Sequence, residues 1–353
     1  MEKKKIKRVL IYRLGSLGDT IVALPALHLI AQTFPHADRY ALTNLISNAK
    51  ASHMSAIVGD SGLIQDYISY PPGLRNIRQI TKLRAQIRSV RPDILVYLAA
   101  PRGQIQAFRD ALFFKSCGIS RLIGIPYTKN LQYNKWLPDK QCYEHEAARL
   151  ARCVSSLGDA RLDDPRSWNL HLTDLEKARA EEMLSRIDVG ARIIACCVGA
   201  KVDVKNWGMK NWQILIGDLF RDYNEAVLMF VGAKTEFGES EVIGQFWSGQ
   251  KVNLCGALTP RESAAALSKA EVFIGHDGGP MHLAATVGTP CVAIFSARNK
   301  PGTWFPFGSG HRVIYHKTEC YGCGLEVCEL EKKKCITSIR VDEVMAAVHE
   351  LLN

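Results

Sequence analysis

Residues 272–295 read VFIGHDGGPMHLAATVGTPCVAIF and predict an apolar strand, a glycine-rich turn, a brief helix and a second apolar strand. Pro280 fits the first helical position, where its missing N–H costs nothing. Gly288 can end the helix in a left-handed conformation, and Pro290 prevents its continuation. The turn directs backbone N–H groups and the positive end of a helix toward open space, which favours an anion site. A purely structural turn between strand and helix is the alternative interpretation.

Two polar side chains at this turn favour a binding site over a structural role. Asp277 follows the first strand directly, and His282 lies in the first helical turn. Open α/β sheets bind ligands at the carboxyl ends of their strands, where both residues would lie. We therefore predict that the turn binds an anion such as the phosphates of a nucleotide.

The composition is that of a globular protein with room for two domains. The chain has 353 residues, of which 47% are apolar and 23% are charged. No apolar run approaches the roughly 18 residues that span a bilayer, and the N-terminal MEKKKIKR lacks the apolar region of a signal peptide. We therefore expect a cytoplasmic protein. The formal net charge of +10 favours an acidic partner, although a general effect on solubility is the alternative. No nucleic-acid motif accompanies this charge, so we expect no nucleic-acid partner.

Strand and helix patterns alternate along the chain in two series of similar length. The first series starts with the buried strand Arg8–Tyr12 (RVLIY) and the second with the strand RIIACCV at 192–198. The segment 158–166 between them is rich in Asp, Gly and Pro, which is typical of a linker. The pattern predicts an α/β fold with two doubly wound domains, at 1–165 and 166–340, and a ligand in their crevice.

The loop after the first strand is a second candidate site. It reads RLGSLGDT at 13–20, where Gly15 and Gly18 allow a tight turn and Asp19 falls at the start of a helix. The spacing misses G-x-G-x-x-G, so a dinucleotide fingerprint is not supported. Asp19 is either a helix cap or a group that meets substrate. Pro25 lies inside the following helical pattern, where it predicts a kink or a late start.

Eleven cysteines in a chain without a signal peptide indicate reduced thiols, and four of them are clustered near the end. Cys320, Cys323, Cys328 and Cys335 form the pattern C-x2-C-x4-C-x6-C. Four such thiols could hold zinc or an iron–sulfur cluster, yet the spacing matches neither common pattern well. We expect thiols that stabilise a loop without a metal, and keep the metal site as the alternative.

With these residues placed, the chain resembles the bacterial heptosyltransferases of glycosyltransferase family 9, which build the inner core of lipopolysaccharide. The resemblance covers nearly the whole length. It is strongest at 13–25 (RLGSLGDTIVALP), at 275–283 (GHDGGPMHL), at Lys205 with Trp207, and in the cysteine-bearing tail. It implies the GT-B architecture, in which two Rossmann-like domains face a central cleft. The acceptor would bind mainly to the N-terminal domain and the nucleotide-sugar to the C-terminal one, while the terminal helix, 341–353, would cross back to the first domain.

The resemblance also implies an inverting sugar transfer, with ADP-heptose as the expected donor. Such a transfer needs a base for the acceptor hydroxyl and a group that neutralises the departing diphosphate. By family match, Asp19 would be the base and Lys205 would neutralise the diphosphate, so no metal or other cofactor is expected. Glu236 or Glu239 would bind the ribose. The implied donor contacts are Gly199, Lys201, Glu236, Asp277, Gly278, Gly279, Pro280, Met281 and His282, and the implied acceptor-side loop consists of Arg13, Gly15, Ser16 and Gly18.

One position departs from the family, which commonly has Ser or Thr where this chain has Gly278. A hydroxyl contact to the phosphate would then be absent, although the backbone amide remains. A sugar-nucleotide epimerase and a non-catalytic nucleotide-sugar binder are the alternative functions.

The expected acceptor is an anionic glycolipid or oligosaccharide of the lipopolysaccharide core or a related glycan. The Lys-rich N-terminus and an Arg-rich helix predicted at 77–90 both belong to the acceptor domain. They would give the enzyme a peripheral contact with the inner face of the cytoplasmic membrane.

Overall fold

The computed structural model of the protein describes residues 5–45, 52–188 and 190–353. The chain divides into two compact units, Met1–His171 and Leu172–Asn353. Each unit is organised around its own parallel sheet.

The boundary between the units falls after His171, beyond the predicted boundary at 165. Two residues in the intervening segment hydrogen-bond back to the first unit. Nε2 of His28 lies 2.8 Å from the Asn169 carbonyl, and Nδ1 of His171 lies 2.9 Å from the Ser61 carbonyl. These contacts place the end of the linker with the first unit.

The first unit is a doubly wound α/β domain. Its strands are β1 (Arg8–Tyr12), β2 (Asp38–Asn44), β3 (Asp66–Tyr70), β4 (Ile94–Tyr97), β5 (Arg121–Ile123), β6 (Trp136–Leu137) and β7 (Cys142–Tyr143). Its helices are α1 (Leu17–Ile21), α2 (Leu24–Thr33), α3 (Ser55–Val58), α4 (Ile77–Val90), α5 (Gln104–Ser116), α6 (Lys129–Gln132) and α7 (Glu146–Cys153). The parallel sheet has the order β3-β2-β1-β4-β5, and β6 pairs with β7. Because the order reverses between β1 and β4, the loops after these strands border the crevice where such sheets bind ligands.

The second unit repeats this plan. Its strands are β8 (Ile193–Cys197), β9 (Val227–Phe230), β10 (Lys251–Asn253), β11 (Val272–His276), β12 (Cys291–Phe295) and β13 (Arg312–Tyr315). Its helices are α8 (Asp174–Leu184), α9 (Met209–Asp222), α10 (Phe237–Gly244), α11 (Pro260–Leu267), α12 (Gly279–Thr286), α13 (Lys334–Thr337) and α14 (Val341–Leu352). The sheet order is β10-β9-β8-β11-β12-β13, which reverses between β8 and β11. The loops after β8 and β11 therefore border the second crevice.

The stretch 272–295 forms β11, α12 and β12, as its pattern predicts. Every residue of β11 and β12 is buried, which explains why both strands read as apolar runs, with His276 at the end of β11 as the one polar residue. Gly288 follows the helix with φ of 85°, in the left-handed region that favours glycine. Pro280 occupies the second helical position instead of the first, because Gly279 already begins the helix.

The helical pattern after the Asp19 loop is interrupted at Pro25, as expected. α1 ends at Ile21, and α2 starts at Leu24 with Pro25 in its first turn. A first-turn proline leaves no helical hydrogen bond unmade, so the late start avoids the cost of a mid-helix proline.

The terminal helix α14 packs within the second unit. Its residues Val344 and Val348 are fully buried in a core that also contains Trp207 and Ile339. The helix contacts α9 and strands β11, β12 and β13. This packing assigns α14 to the second unit, and the crossing back to the first domain that the resemblance implied for 341–353 stays a prediction.

We find no helix in the described ranges that is both long enough and apolar enough to span a membrane.

Candidate active site

The loop after β1 folds around the carboxylate of Asp19. Oδ2 of Asp19 accepts a hydrogen bond from the Ser16 N–H at 2.9 Å, so Asp19 helps to cap α1. Gly18 lies within this helix. Gly15 has φ of 126°, and a Cβ at this position would overlap the Asp19 carboxyl group, so the loop requires glycine here. The Asp19 side chain is nevertheless 33% exposed. The structure thus shows the capping role and leaves the carboxylate within reach of solvent.

Arg13 fixes this loop from the inside. Its Nε donates to the Asp19 carbonyl at 2.9 Å, and its Nη1 donates to the Leu98 carbonyl, just after β4, at 2.6 Å. Burial lowers the pKa of Arg13, and the negative charges of Asp19 and Glu146 oppose that effect. The side chain is buried, so Arg13 positions the Asp19 loop instead of presenting an exposed contact.

Two buried residues that the sequence analysis did not single out support the Asp19 loop of the first unit. Glu146 and Arg149 of α7 form an ion pair at 2.5 Å, and Arg149 also donates to the Leu131 carbonyl at 2.9 Å. Burial acts to raise the pKa of Glu146, but the hydrogen bonds and charge of Arg149 outweigh it, so that the pKa is lowered. Glu146 therefore remains ionised and supplies a counter-charge for the buried Arg13. Its spacing of three residues from Arg149 is the one signal that could have indicated the pair.

In the second unit, Lys205 is held by Asp277. Its Nζ lies 2.7 Å from Oδ2 of Asp277 and donates to the Asp277 carbonyl at 3.0 Å. Nδ2 of Asn299 donates to the same Oδ2 at 3.0 Å. The Lys205 and Asp277 side chains are only 14% and 5% exposed, so the carboxylate compensates the desolvation of the ammonium. The structure thus joins two residues that the sequence analysis had placed near the phosphates separately.

His276, the last residue of β11, ties the surrounding loops together. Its Nδ1 lies 3.1 Å from the Gly199 carbonyl, and its Nε2 accepts the Trp207 N–H at 3.2 Å. This pattern requires a neutral ring with the proton on Nδ1. Burial, with a smaller contribution from Lys205, lowers the pKa of His276 to about 4. His276 was not predicted as a site residue, although the motif at 275–283 contains it.

Glu236 lies against the loop after β8. The sequence analysis names Glu236 and Glu239 as alternative ligands of the ribose. The Glu236 side chain is buried, and its Oε2 accepts the Ala233 N–H at 2.9 Å. A Cβ on Gly199 would overlap the Glu236 carboxyl group, so the carboxyl lies directly on this glycine. The structure therefore brings Glu236 together with Gly199, while Lys201 is exposed two residues further along the loop.

The start of α12 presents mainly backbone. Gly278 is the N-cap residue in an extended conformation, with φ of −159°, and Gly279 and Pro280 form the first two helical positions. The side chains of Met281 and His282 are buried. An anion at this turn would meet N–H groups and the positive helix end, with the Lys205–Asp277 pair beside them.

The cysteine cluster is a loop with graded exposure. Cys320 and Cys323 are exposed, Cys328 is half-buried and Cys335 is buried, and all four are free thiols. Burial raises the pKa of Cys335, and the three other thiols add to that effect. Within the part of the chain that the structure describes, no three His, Cys, Asp or Glu side chains are arranged to hold a metal ion. The metal-free loop stays a prediction.

Two doubly wound sheets, each with polar residues at the point where the strand order reverses, define a two-domain α/β protein. Its likeness to solved glycosyltransferase structures shows that the fold is GT-B. The family model described as glycosyltransferase family 9 (heptosyltransferase) matches residues 81–334, and the chain belongs to this family. It is therefore a glycosyltransferase of the heptosyltransferase family.

Curated and structural relatives resemble the chain over nearly its full length. The lipooligosaccharide heptosyltransferase 2 of Campylobacter jejuni is 23% identical over 345 residues, which cover 95% of each chain. The structure of a family 9 glycosyltransferase from Veillonella parvula superposes with a TM-score of 0.75 at 17% identity, covering 100% of this chain and 98% of that one. The ADP-heptose LPS heptosyltransferase II of E. coli gives a TM-score of 0.66 at 17% identity, covering 98% of each chain. At these identities, the two structures show the fold.

Proposed function

We propose that the protein is an inverting heptosyltransferase that moves heptose from ADP-heptose onto a lipopolysaccharide-core or related glycan. Membership of the family supports the transfer, and the name of the E. coli relative supports the donor. The observation that carries the proposal is the cation of Lys205, held by Asp277 beside the start of α12.

On the donor side, Lys205 neutralises the diphosphate as it departs. An ammonium group has three donors, and Asp277 accepts two of them, which leaves a donor for a phosphate oxygen. The position is fixed before the donor arrives, because the Asp277 pair and the His276 contact to Trp207 hold the segment. A preorganised cation of this kind stabilises developing charge without reorganisation. Asp277 acts here by holding Lys205, and Glu236 is the candidate ligand for the ribose.

On the acceptor side, Asp19 removes the proton of the attacking hydroxyl. The acceptor oxygen forms a bond to the anomeric carbon on the face opposite the diphosphate, so the configuration inverts. The bond from that carbon to the phosphate oxygen breaks, ADP leaves with the electron pair, and the proton resides on Asp19. Arg13 keeps the Asp19 loop in place through the Asp19 carbonyl.

A coupled assay tests this function against the two alternatives. Purified protein is incubated with ADP-heptose, with and without a heptose-free core oligosaccharide, and ADP release is followed by chromatography. The transferase releases ADP in step with glycan product only when the acceptor is present. Conversion of the sugar-nucleotide without acceptor indicates an epimerase, and binding without any turnover indicates a nucleotide-sugar binder.

Full activity in excess EDTA is the expected result for metal-independent transfer. Lys205 and the start of α12 supply the positive charge that a divalent cation supplies in other enzymes. Initial rates with and without EDTA, after dialysis against chelator, provide the measurement. Loss of activity that magnesium restores would refute the assignment.

Gly278→Ser should tighten ADP binding by about 10- to 100-fold, because a hydrogen bond to a charged group contributes about 1.5–3 kcal/mol. The position accepts a side chain: φ is −159°, and the nearest atoms to a Cβ are the His276 carbonyl oxygen at 3.7 Å and Pro280 Cδ at 3.9 Å. Isothermal titration calorimetry with ADP measures the change.

Gly278→Ala is the matched control, since it adds the Cβ without the hydroxyl. Serine is also a better N-cap than alanine, so the thermal unfolding of both ligand-free variants is compared to separate capping from binding. Equal ADP affinity of the two variants would show that no phosphate reaches this position.

The acceptor in this proposal is an anionic glycan carried on a lipid, reached at a membrane surface. The exposed side chains of α4 include Arg78, Lys82, Arg84 and Arg88, and its sequence contains no acidic residue. The Lys-rich N-terminus was the other part of this prediction, and its residues 1–4 lie outside the described residues.

A further inference from the structure

Helix α5 exposes apolar side chains on the face that points away from its own core. Ile105, Phe108 and Leu112 are 82%, 58% and 69% exposed. Their spacing of three and four residues places them on one side of the helix, and we call these three residues the α5 stripe. The opposite side packs into the core of the first unit through Ala107, Ala111 and Phe114. A surface helix ordinarily carries polar residues on its outer face, so the stripe requires an explanation.

Basic side chains border the α5 stripe. Arg109 and Lys115 lie on the same helix and are exposed. The neighbouring helix α4 contributes Arg84, whose Nε donates to the Ser116 carbonyl at the end of α5 at 2.9 Å. It also contributes Arg88, whose charge, like that of Arg84, acts to lower the pKa of Cys117 just after α5. The one acidic residue of α5, Asp110, is buried and paired with Arg102 and Arg109. The rim of the stripe is therefore cationic.

We propose that the α5 stripe inserts into the surface of an anionic lipid bilayer while its basic rim contacts the lipid phosphates. A short helix with an apolar face and flanking Lys and Arg lies in the plane of the interface and buries its apolar side at the acyl boundary. The surface potential of anionic lipid attracts the rim. Phe108 also contacts the ring of Tyr127 at 4.9 Å, which widens the apolar surface with a side chain suited to the interface.

The position of α5 in the first unit relates the bilayer contact to the Asp19 loop. The helix follows β4 after the segment 98–103, and Arg13 links the start of that segment to the Asp19 loop through its bonds to Leu98 and Asp19. Docking through α5 therefore brings the Asp19 loop to the bilayer, where a lipid-borne acceptor presents its glycan. This last step rests on the proposed function, whereas the bilayer contact itself does not.

The test is co-sedimentation of the full chain with vesicles of phosphatidylethanolamine and phosphatidylglycerol, and with phosphatidylcholine vesicles as the uncharged comparison. We expect binding to the anionic vesicles that weakens with salt. The variant Ile105→Ser/Phe108→Ser/Leu112→Ser should lower the partition coefficient by about 10- to 100-fold, because three apolar side chains no longer leave water. The variant Arg88→Gln/Lys115→Gln should weaken binding and flatten its salt dependence.

A matched control replaces three exposed apolar residues of the second unit, in the variant Leu175→Ser/Ile214→Ser/Phe246→Ser. It should bind vesicles like the wild type. Insertion is measured separately with the variant Phe108→Trp, which adds a tryptophan to the stripe. Lipids brominated in the acyl chain should quench the tryptophan emission of this variant more than that of the wild type. Equal vesicle binding by the wild type and the stripe variant would overturn the proposal. Sedimentation velocity gives the second outcome that would overturn the proposal: the wild type self-associates and the stripe variant, but not the control variant, is monomeric. A second copy of the chain would then cover the stripe.

Vesicle binding needs neither donor nor acceptor, so it tests the membrane contact independently of the proposed sugar transfer. If both hold, the stripe variant should transfer heptose to a lipid-free oligosaccharide at the wild-type rate and to a vesicle-borne acceptor about tenfold more slowly. Equal losses on both acceptors would assign the stripe a role in folding or catalysis instead.

Discussion

Asp19→Asn should lower sugar transfer by about 10²–10⁴-fold, the usual contribution of general base catalysis, while the fold stays intact. Asparagine cannot accept the proton of the acceptor hydroxyl. Donor affinity should remain close to the wild-type value, because the groups assigned to the donor belong to the second unit. Steady-state rates of ADP release and calorimetric titration with ADP measure the two quantities.

The structure explains why stability should change little. Oδ2 of Asp19 accepts the Ser16 N–H, and the amide oxygen of asparagine can accept the same bond. The lost charge lies 3.8 Å from Arg13 on a side chain that is 33% exposed, so solvent screens much of the interaction. Glu146 still provides a counter-charge for Arg13. We expect the free energy of unfolding to fall by less than about 1 kcal/mol.

Asp164→Asn is the matched control for this prediction. Asp164 also caps a helical turn, by accepting the Arg166 N–H at 3.0 Å, and its carboxylate also pairs with an arginine. This variant should turn over like the wild type. Near-normal transfer by Asp19→Asn would leave Asp19 as a cap only and remove the base from the mechanism.

The features that the sequence predicts correctly depend on neighbours in the chain. Gly288 and the apolar runs around it define β11, α12 and β12 because left-handed turns and buried strands leave local signals. Pro25 delays α2 because a proline acts on its own helix. The bounds of α4, Ile77–Val90, agree with the predicted helix at 77–90 for the same reason.

The features that the sequence analysis missed depend on strand order. His276 bonds to Gly199 and Trp207, 77 and 69 residues away, because β11 pairs with β8 in the sheet. Lys205 and Asp277 were both predicted as site residues, but their pairing across 72 residues follows from the same arrangement. Arg13 reaches Leu98 because β1 lies beside β4. These contacts join residues that are distant in the sequence, so no pattern of neighbouring residues indicates them.

Lys205→Met should slow sugar transfer by about 10²–10³-fold and also weaken ADP binding by about 10- to 100-fold. The expected pattern differs from that of Asp19→Asn, because Lys205 meets the diphosphate both in the bound donor and as ADP departs. Lys205→Met should also destabilise the second unit. Among the described residues it leaves the carboxylate of Asp277, 5% exposed, with Asn299 as its remaining side-chain partner. An uncompensated buried charge costs about 3–5 kcal/mol.

A double-mutant cycle separates the two effects. Lys205→Met/Asp277→Asn removes both charges, so most of the lost stability should return while transfer and ADP binding stay low. Lys333→Met is the control, since it breaks a more exposed pair with Asp203, at 3.0 Å, and should leave both quantities near the wild-type values. If Asp277 acts only by holding Lys205, replacing it in the Lys205→Met background should have no further effect on the rate. A further large loss of rate in the double variant would show that Asp277 contacts the donor itself, and full recovery of the rate would show that Lys205→Met had acted through folding alone.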